Sequence, residues 1–404
     1  MNFFEELKWR GLVKDVSDPE IENKINNEKI TFYWGTDPTA DSLHLGHYSS
    51  LVTAKRLASH GNKFILLIGG ATGLIGDPRP TAEREIISKE TIDKNINGIQ
   101  NQVRSLVDEN TIFVNNYDWL KDYKYLEFLR DIGKYINVNY MLNKDIISRR
   151  LETGITYAEF SYTLMQGFDF VHLNRNYNCT FQVAGSDQWG NITTGIELGH
   201  KMDNVQLYGF TMPLILDSTG KKFGKSEGNA LWLNKEKTSP YIIYQYLINT
   251  DDSKVIEYLK VFTFLTKEQI EELEEETNKH PEQRKAQKAL AYEVVKDIHG
   301  IEEANKAIKI TEALFSGNIK DLTEEETEEA FKNFETLQLK NIPLIELLVE
   351  NKIASSKREA REFIKNNAIS INGDIINDET YIIDNNKKYN IIRRGKKKYY
   401  ILKK

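Results

Sequence analysis

Two stretches far apart in the chain carry residue types that handle phosphate, His44-Leu45-Gly46-His47 and Lys222-Phe223-Gly224-Lys225-Ser226. A His-x-Gly-His that follows an apolar segment (Ile30 to Trp34) and opens a helix aims two imidazoles, unpaired backbone N–H groups and a positive dipole end at a polyphosphate. The glycine lets a nucleotide lie against the backbone. Two lysines three residues apart on a glycine-containing loop supply mobile point charges that follow negative charge as it develops on phosphate. Taken singly, the histidines read as a helix cap and the lysines as a solvated loop. Taken together, the two stretches suit nucleotidyl transfer.

The elements that must position these groups follow a simple alternation. The segment Ile30 to Trp34, a helical stretch from about Gly46 to His60, and the apolar run Phe64 to Ile68 make a strand–helix–strand unit, which implies a parallel, doubly wound sheet. Further strand-like runs at Thr111 to Val114, Asn178 to Val183 and Gln206 to Leu216 keep residues 1–228 in one Rossmann-like α/β domain. Ligands then belong beyond the carboxyl ends of the strands, at the loops 35–43, 69–80 and 185–191. After Gly228 the pattern turns to helices without strands, including Thr266 to Asn278 and a helix opened by Pro281 and closed by Gly300. We assign 229–325 to a helical domain, 326–341 to a linker and 342–404 to a small α+β module. In that module Ser356 and Glu359 form a capping box, Arg358, Arg361 and Lys365 share one helix face, and Ala368 to Ile376 reads as a hairpin turning at Asn372-Gly373.

Composition bounds the class. With 404 residues and 40% hydrophobic content, the chain can bury a large core and is expected to form two or three domains. The N-terminal stretch Phe3 to Arg10 is amphipathic with acids inside it, unlike an export signal, and no apolar run approaches the length of a membrane span. A cytoplasmic protein without a membrane anchor is expected. The single cysteine, Cys179, excludes an internal disulfide and a multi-cysteine metal cage, and reads as a buried strand residue. The net charge of −6 hides an asymmetry: residues 351–404 hold fourteen Lys and Arg against six Asp and Glu. That tail, with Lys396, Lys397, Lys398, Lys403 and Lys404, favours a polyanion, of which nucleic acid is the expected one.

One helix carries a second pattern. Tyr162, Gln166 and Asp169 are spaced four and three apart and form a polar stripe beside the apolar stripe Phe160, Leu164, Phe168 and Val171. Such a stripe usually faces solvent. This one holds only groups suited to a small zwitterion.

The run Gly35-Thr36-Asp37-Pro38-Thr39-Ala40-Asp41-Ser42-Leu43-His44-Leu45-Gly46-His47, the loop Gly185-Ser186-Asp187-Gln188-Trp189-Gly190-Asn191 and the loop Lys222 to Ser226 resemble those of the bacterial-type tyrosyl-tRNA synthetases, which are class I aminoacyl-tRNA synthetases. The resemblance covers nearly the whole chain, with 229–325 similar to a helical anticodon-binding domain and 342–404 to the RNA-binding domain of ribosomal protein S4.

The resemblance implies that the carboxylate of L-tyrosine attacks the α-phosphate of ATP, accompanied by Mg²⁺, and that the tyrosyl group then passes to the 3′-terminal adenosine of tRNA(Tyr). No general base is needed in the first step, because the nucleophile is already an anion, so catalysis rests on in-line placement and on stabilising the crowded phosphate. His44, His47, Thr39, Lys222 and Lys225 fit that task. By resemblance Gly35, Asp37, Gly46, Ser50 and Ser226 join them around ATP, and Asp187 holds the ribose. Tyr162, Gln166 and Asp77 are expected to hold the ammonium of tyrosine, Tyr33 and Asp169 its phenolic hydroxyl, and Gln188 to lie near its carboxylate. Lys357, Arg358, Arg361 and Lys365 are candidates for tRNA contact, and a homodimer is expected. The loop after Asp77 lacks the family's lysine, for which Arg79 is a replacement, while Arg84 matches. Trp34 stands where relatives carry a small residue and is left outside the site. Tryptophanyl-tRNA synthetases share the fold and the activation chemistry, but the Tyr33 and Asp169 pair argues for tyrosine. An RNA-binding protein without catalysis would not need both phosphate-handling stretches.

Overall fold

The computed structural model describes residues 1–78, 87–226, 229–332, 336–384, 386–395 and 398–403, with Lys225 and Ser226 described in their backbone alone. Arg79, Arg84, Lys396, Lys397 and Lys404 therefore lie outside the described residues. Two compact units result, residues 1–238 with 249–290 and residues 239–248 with 291–404.

In the first unit five strands, β1 (Thr31–Thr36), β2 (Lys63–Ile68), β3 (Ile112–Asn115), β4 (Phe181–Gly185) and β5 (Tyr208–Met212), form one sheet in the order β3-β2-β1-β4-β5. All four pairings are parallel. Strands covered on both faces need apolar side chains throughout, and five residues of β2, Phe64 to Ile68, are all buried. The order reverses between β1 and β4, so their carboxyl ends open the crevice where a doubly wound sheet takes its ligand. Tyr33 on β1 stands in register with Ile65 on β2 and Gln182 on β4. Phe170 meets the Tyr33 ring edge-on at 5.2 Å, and Ile65, Leu67 and Leu173 complete that core. Cys179 is buried as expected but lies just before β4 rather than within it, and burial pushes its thiol well above the ordinary range.

Segments beyond the sheet explain where this unit ends. Leu45 donates its N–H to Leu231 O at 2.7 Å and Leu233 donates to Leu43 O at 2.9 Å, which ties residues 231–233 to the loop before the helix Leu45–Ser59. The two-residue strand Asn229–Ala230 pairs with Lys225–Ser226, so the expectation of no strand after residue 228 is corrected. The expected helix start at Pro281 is also displaced. Pro281–Gln283 makes one 3-10 turn, Arg284 adopts φ 50°, and the α-helix runs over Lys285–His299. A left-handed residue breaks helical continuity, so the chain must restart after it.

The second unit holds a sheet of the strands Thr336–Gln338, Ile369–Ile371, Asp374–Ile375, Tyr389–Arg394 and Lys398–Lys403. Thr336–Gln338 falls in the stretch expected to be a linker, where it pairs with Lys398–Lys403 in parallel. Its short, half-exposed sequence has no alternation strong enough to mark a strand without its partner. The hairpin turns at Asn372 and Gly373, both with positive φ, the backbone that Asn-Gly supplies. Ser356 caps the helix Lys357–Lys365 through Glu359 N–H, but Glu359 Oε2 accepts from Ser355 N–H and Oγ–H instead of closing the box on Ser356.

Candidate functional site

The helix Leu45–Ser59 begins with a capping box made of two histidines. Gly46 N–H donates to His44 Nδ1 at 3.1 Å and His44 N–H donates to His47 Nδ1 at 3.3 Å. With Nδ1 acting as acceptor in each ring, a neutral imidazole carries its proton on Nε2. The rings stack with centroids 3.8 Å apart. Burial, reinforced by His44, lowers the His47 pKa to about 3, so this ring is an uncharged donor at neutral pH.

The second phosphate-handling stretch meets the first. Phe223 is buried, stacked on Phe262 at 4.6 Å and edge-on to Tyr258 at 4.7 Å. Gly224 has φ +85°, and a Cβ built on it would stand 2.6 Å from Gly46 N. The loop is therefore anchored through Phe223 and laid against the helix start through Gly224. Lys222 projects from the anchored loop as an exposed residue. The side chains of Lys225 and Ser226 lie outside the described residues.

A polar chain lies under the crevice. Tyr162 Oη donates to Asp37 Oδ2 at 3.0 Å, and Thr72 Oγ1 donates to Asp37 Oδ1 at 2.8 Å. Asn116 Nδ2 donates to Thr72 Oγ1 and to Asp169 Oδ2, each at 2.9 Å, and Trp119 Nε1 donates to Asp169 Oδ1 at 2.9 Å. A side chain on Gly69 would collide with the Asp37 carboxylate and the Thr72 hydroxyl, so glycine alone leaves room for this bond. Burial raises the Asp169 pKa to about 8, opposed by the Asn116 and Trp119 hydrogen bonds. Tyr33 Oη is fully buried with no hydrogen-bond partner among the described residues, and burial followed by the Asp169 charge pushes its pKa well up. Gln182 Oε1 and Asn191 Oδ1 are buried and unsatisfied as well. Unpaired buried polar atoms are costly, and a bound polar molecule would relieve them.

A second polar cluster gathers at the end of β4. Gln188 Nε2 donates to Asp77 Oδ2 at 2.9 Å and to Asp187 Oδ2 at 3.4 Å, while Asn191 Nδ2 donates to Gln188 Oε1 at 2.9 Å and to Asp77 Oδ1 at 3.4 Å. Asp187 is exposed in the 3-10 turn Ser186–Gln188.

The polar stripe of the helix Tyr157–Tyr177 is inward-facing: Tyr162 and Asp169 are 5% and 1% exposed. Gln166 and Ser50 are half-buried, Gly35 is exposed near the carboxyl end of β1, and Thr39 is exposed in the loop after it. Trp34 is buried. Thr72, Asn116 and Trp119 escaped the sequence reading, and Asn191 entered it only as the end of the loop Gly185 to Asn191, without a role. The available signal was their place at or just after the carboxyl ends of β2, β3 and β4. In the second unit Lys357, Arg358, Arg361 and Lys365 are all exposed, and three face acids, Lys357 with Glu346 at 2.8 Å, Arg361 with Glu379 at 2.9 Å and Arg358 with Glu362 at 3.7 Å. No group of His, Cys, Asp and Glu among the described residues could hold a metal ion, and no described helix is long and apolar enough to cross a membrane.

Residues 25–316 match the family described as tRNA synthetases class I (W and Y), and residues 326–402 match the tyrosine–tRNA ligase SYY-like C-terminal domain. The chain belongs to the tyrosyl-tRNA synthetases. A C-terminally truncated mitochondrial tyrosyl-tRNA synthetase of Aspergillus nidulans is 34% identical with TM-score 0.71, covering 78% of this chain and 94% of that one. The corresponding truncated enzyme of Coccidioides posadasii is also 34% identical, with TM-score 0.67, covering 76% and 91%. A tryptophanyl-tRNA synthetase of Plasmodium falciparum shares the fold at 17% identity and TM-score 0.56, covering 81% and 87%. Tyrosyl-tRNA synthetases are aminoacyl-tRNA ligases that use ATP as substrate.

Proposed function

We propose that the chain joins L-tyrosine to ATP, supplied with Mg²⁺ as part of the substrate, and passes the tyrosyl group to the 3′-terminal adenosine of tRNA(Tyr) in the manner of the bacterial-type enzymes. The observation that carries the residue assignment is the buried, unpaired Tyr33 hydroxyl, near enough to Asp169 for that carboxyl to help raise the Tyr33 pKa. A phenol placed between them donates its O–H to Asp169 and accepts from Tyr33. Asp77, Tyr162 and Gln166 receive the ammonium, and Gln188 lies toward the carboxylate. Gly35, Asp37, Gly46 and Ser50 receive the nucleotide and Asp187 its ribose. His44 and His47, as Nε2–H donors, act with Thr39, Lys222, Lys225 and Ser226 on the triphosphate. The reaction needs charge stabilisation and alignment, and a neutral His47 supplies a preorganised Nε2–H donor.

Within the same reading, residues 229–325 contact the anticodon and 342–404 contact tRNA, with Lys357, Arg358, Arg361 and Lys365 on the RNA side. The enzyme works in the cytoplasm as a homodimer. Tyr125, Leu126, Val138, Leu151 and Tyr157 are each at least 50% exposed, more apolar surface than one stretch of a monomer usually leaves open, and this supports a subunit interface there.

The test is ATP–pyrophosphate exchange without tRNA, with tyrosine, tryptophan and phenylalanine offered separately. Exchange with tyrosine alone is expected. Exchange with tryptophan would overturn the pocket assignment, and exchange with none would leave only an RNA-binding role.

A further inference from the structure

Trp119 sits between two residues of one helix. Its indole Nε1–H donates to Asp169 Oδ1 at 2.9 Å, and its ring face is covered by the His172 imidazole, with centroids 4.1 Å apart and planes 11° from parallel. Asp169 and His172 are three residues apart on Tyr157–Tyr177, so they share a helix face and grip the same indole at edge and face. Phe168 stands edge-on to the imidazole at 6.4 Å and 63°, and Tyr123 packs edge-on to Phe168 at 5.5 Å. Burial, then the Arg175 charge, lowers the His172 pKa from its ordinary 6.5. A neutral flat ring is the form that stacks without a charge to solvate.

We infer that His172 is a positioning residue for tyrosine selection, acting through Trp119 on Asp169. The inference rests on reading Asp169 as the acceptor of the substrate phenol. Asp169 is held by two donors, Asn116 on Oδ2 and Trp119 on Oδ1. Asn116 is itself fixed by Thr72, whereas the half-buried indole has the imidazole as its platform. Removing the platform lets the indole turn, withdraws one of the two donors from a fully buried carboxyl, and loosens the lone pair that a phenolic hydroxyl must find. The consequence falls on the phenol end of the amino acid and leaves the ATP side untouched.

The experiment is ATP–pyrophosphate exchange by full-length wild type, His172→Ala, His172→Phe, Trp119→Phe and the His172→Ala/Trp119→Phe pair, varying tyrosine, phenylalanine and ATP in turn. His172→Ala should raise the KM for tyrosine about 3- to 10-fold, the size of one lost aromatic pair, lower the tyrosine-over-phenylalanine preference similarly, and leave kcat and the KM for ATP within about twofold. His172→Phe keeps the platform and should restore wild-type values. In the Trp119→Phe background His172→Ala should add nothing, because the N–H through which it acts is gone. The inference is overturned if the effect persists in that background, if His172→Phe is as poor as His172→Ala, or if both KM values and the melting temperature shift together. Wild-type enzyme without tyrosine-dependent exchange would instead remove the underlying reading of Asp169, an outcome separable from a failed His172 effect in an active enzyme.

Discussion

Tyr162 donates its phenolic hydroxyl to Asp37 Oδ2 at 3.0 Å across 125 positions of sequence. One residue belongs to the helix assigned to the amino acid and the other to the loop assigned to the nucleotide, and Thr72 holds the second oxygen of the same carboxylate. The bond links the two substrate positions, so Tyr162→Phe should disturb both. We expect kcat/KM for tyrosine to fall about tenfold, as for one lost hydrogen bond to a charged group, with a smaller rise in the KM for ATP. Steady-state exchange with each substrate varied checks this, and a change confined to tyrosine would show that the bond transmits nothing.

Gly224 lays the loop that holds Lys222 against the start of the helix Leu45–Ser59. Its φ of +85° is a backbone that L side chains rarely adopt, and a Cβ there would stand 2.6 Å from Gly46 N. Gly224→Ala must therefore move the loop or the helix start, at a cost of about 1–3 kcal/mol. We expect pre-steady-state adenylate formation to slow by at least about tenfold while equilibrium tyrosine binding, measured by fluorescence without ATP, is unchanged. A wild-type adenylation rate would sink the idea that this contact sets the loop.

Asp169 gives a pH signature. Its pKa is raised by burial to about 8, against an unfolded value near 4. Between those values the folded chain holds a proton that the unfolded chain has released, so stability contributed here is complete below about pH 4 and is lost as pH rises through about 8. Asp169→Asn cannot titrate, and the wild type should lose stability relative to it over that window, with a slope of at most ~1.4 kcal/mol per pH unit. Urea denaturation at intervals from pH 5 to 8.5 tests this, and parallel profiles would contradict it.

Much of this architecture is local in origin and hence legible in the residues alone. The run Phe64 to Ile68, five apolar residues ending at Gly69-Gly70, has the length and flanks of a strand covered on both faces, and the spacing of Tyr162 and Asp169 puts them on one helix face whatever lies opposite. The support around them is different. Asn116 and Trp119 are the N-cap and a member of a four-residue helix just after a four-residue strand, too brief for any periodicity, and their role appears only when β3 lies beside β2 and Asp169 comes within reach. Thr336–Gln338 is likewise a strand because Lys398–Lys403 is beside it. Pro281 carried a true stop-and-start signal, and the left-handed Arg284 that moved the helix start has no marker in its residue type.

The base of the substrate helix offers the last prediction. Arg150 donates from both terminal nitrogens to the Glu159 carboxylate at 2.9 and 3.0 Å, with side chains 5% and 1% exposed. Arg150 also donates to Gly154 O, and Glu159 Oε2 accepts from Thr156 N–H in the capping box of Tyr157–Tyr177. Removing one member of a buried pair leaves the other charge without its counterion, which costs about 3–5 kcal/mol, whereas exchanging both for apolar residues costs far less. Glu159→Gln keeps the shape and the acceptor for Thr156 but removes the charge. We expect it to destabilise the protein by several kcal/mol in urea, and Arg150→Met with Glu159→Leu together to lose less than the sum of the single changes. Additive losses would mean that Arg150 and Glu159 stabilise the helix start separately, through Gly154 and Thr156, with no net gain from their pairing.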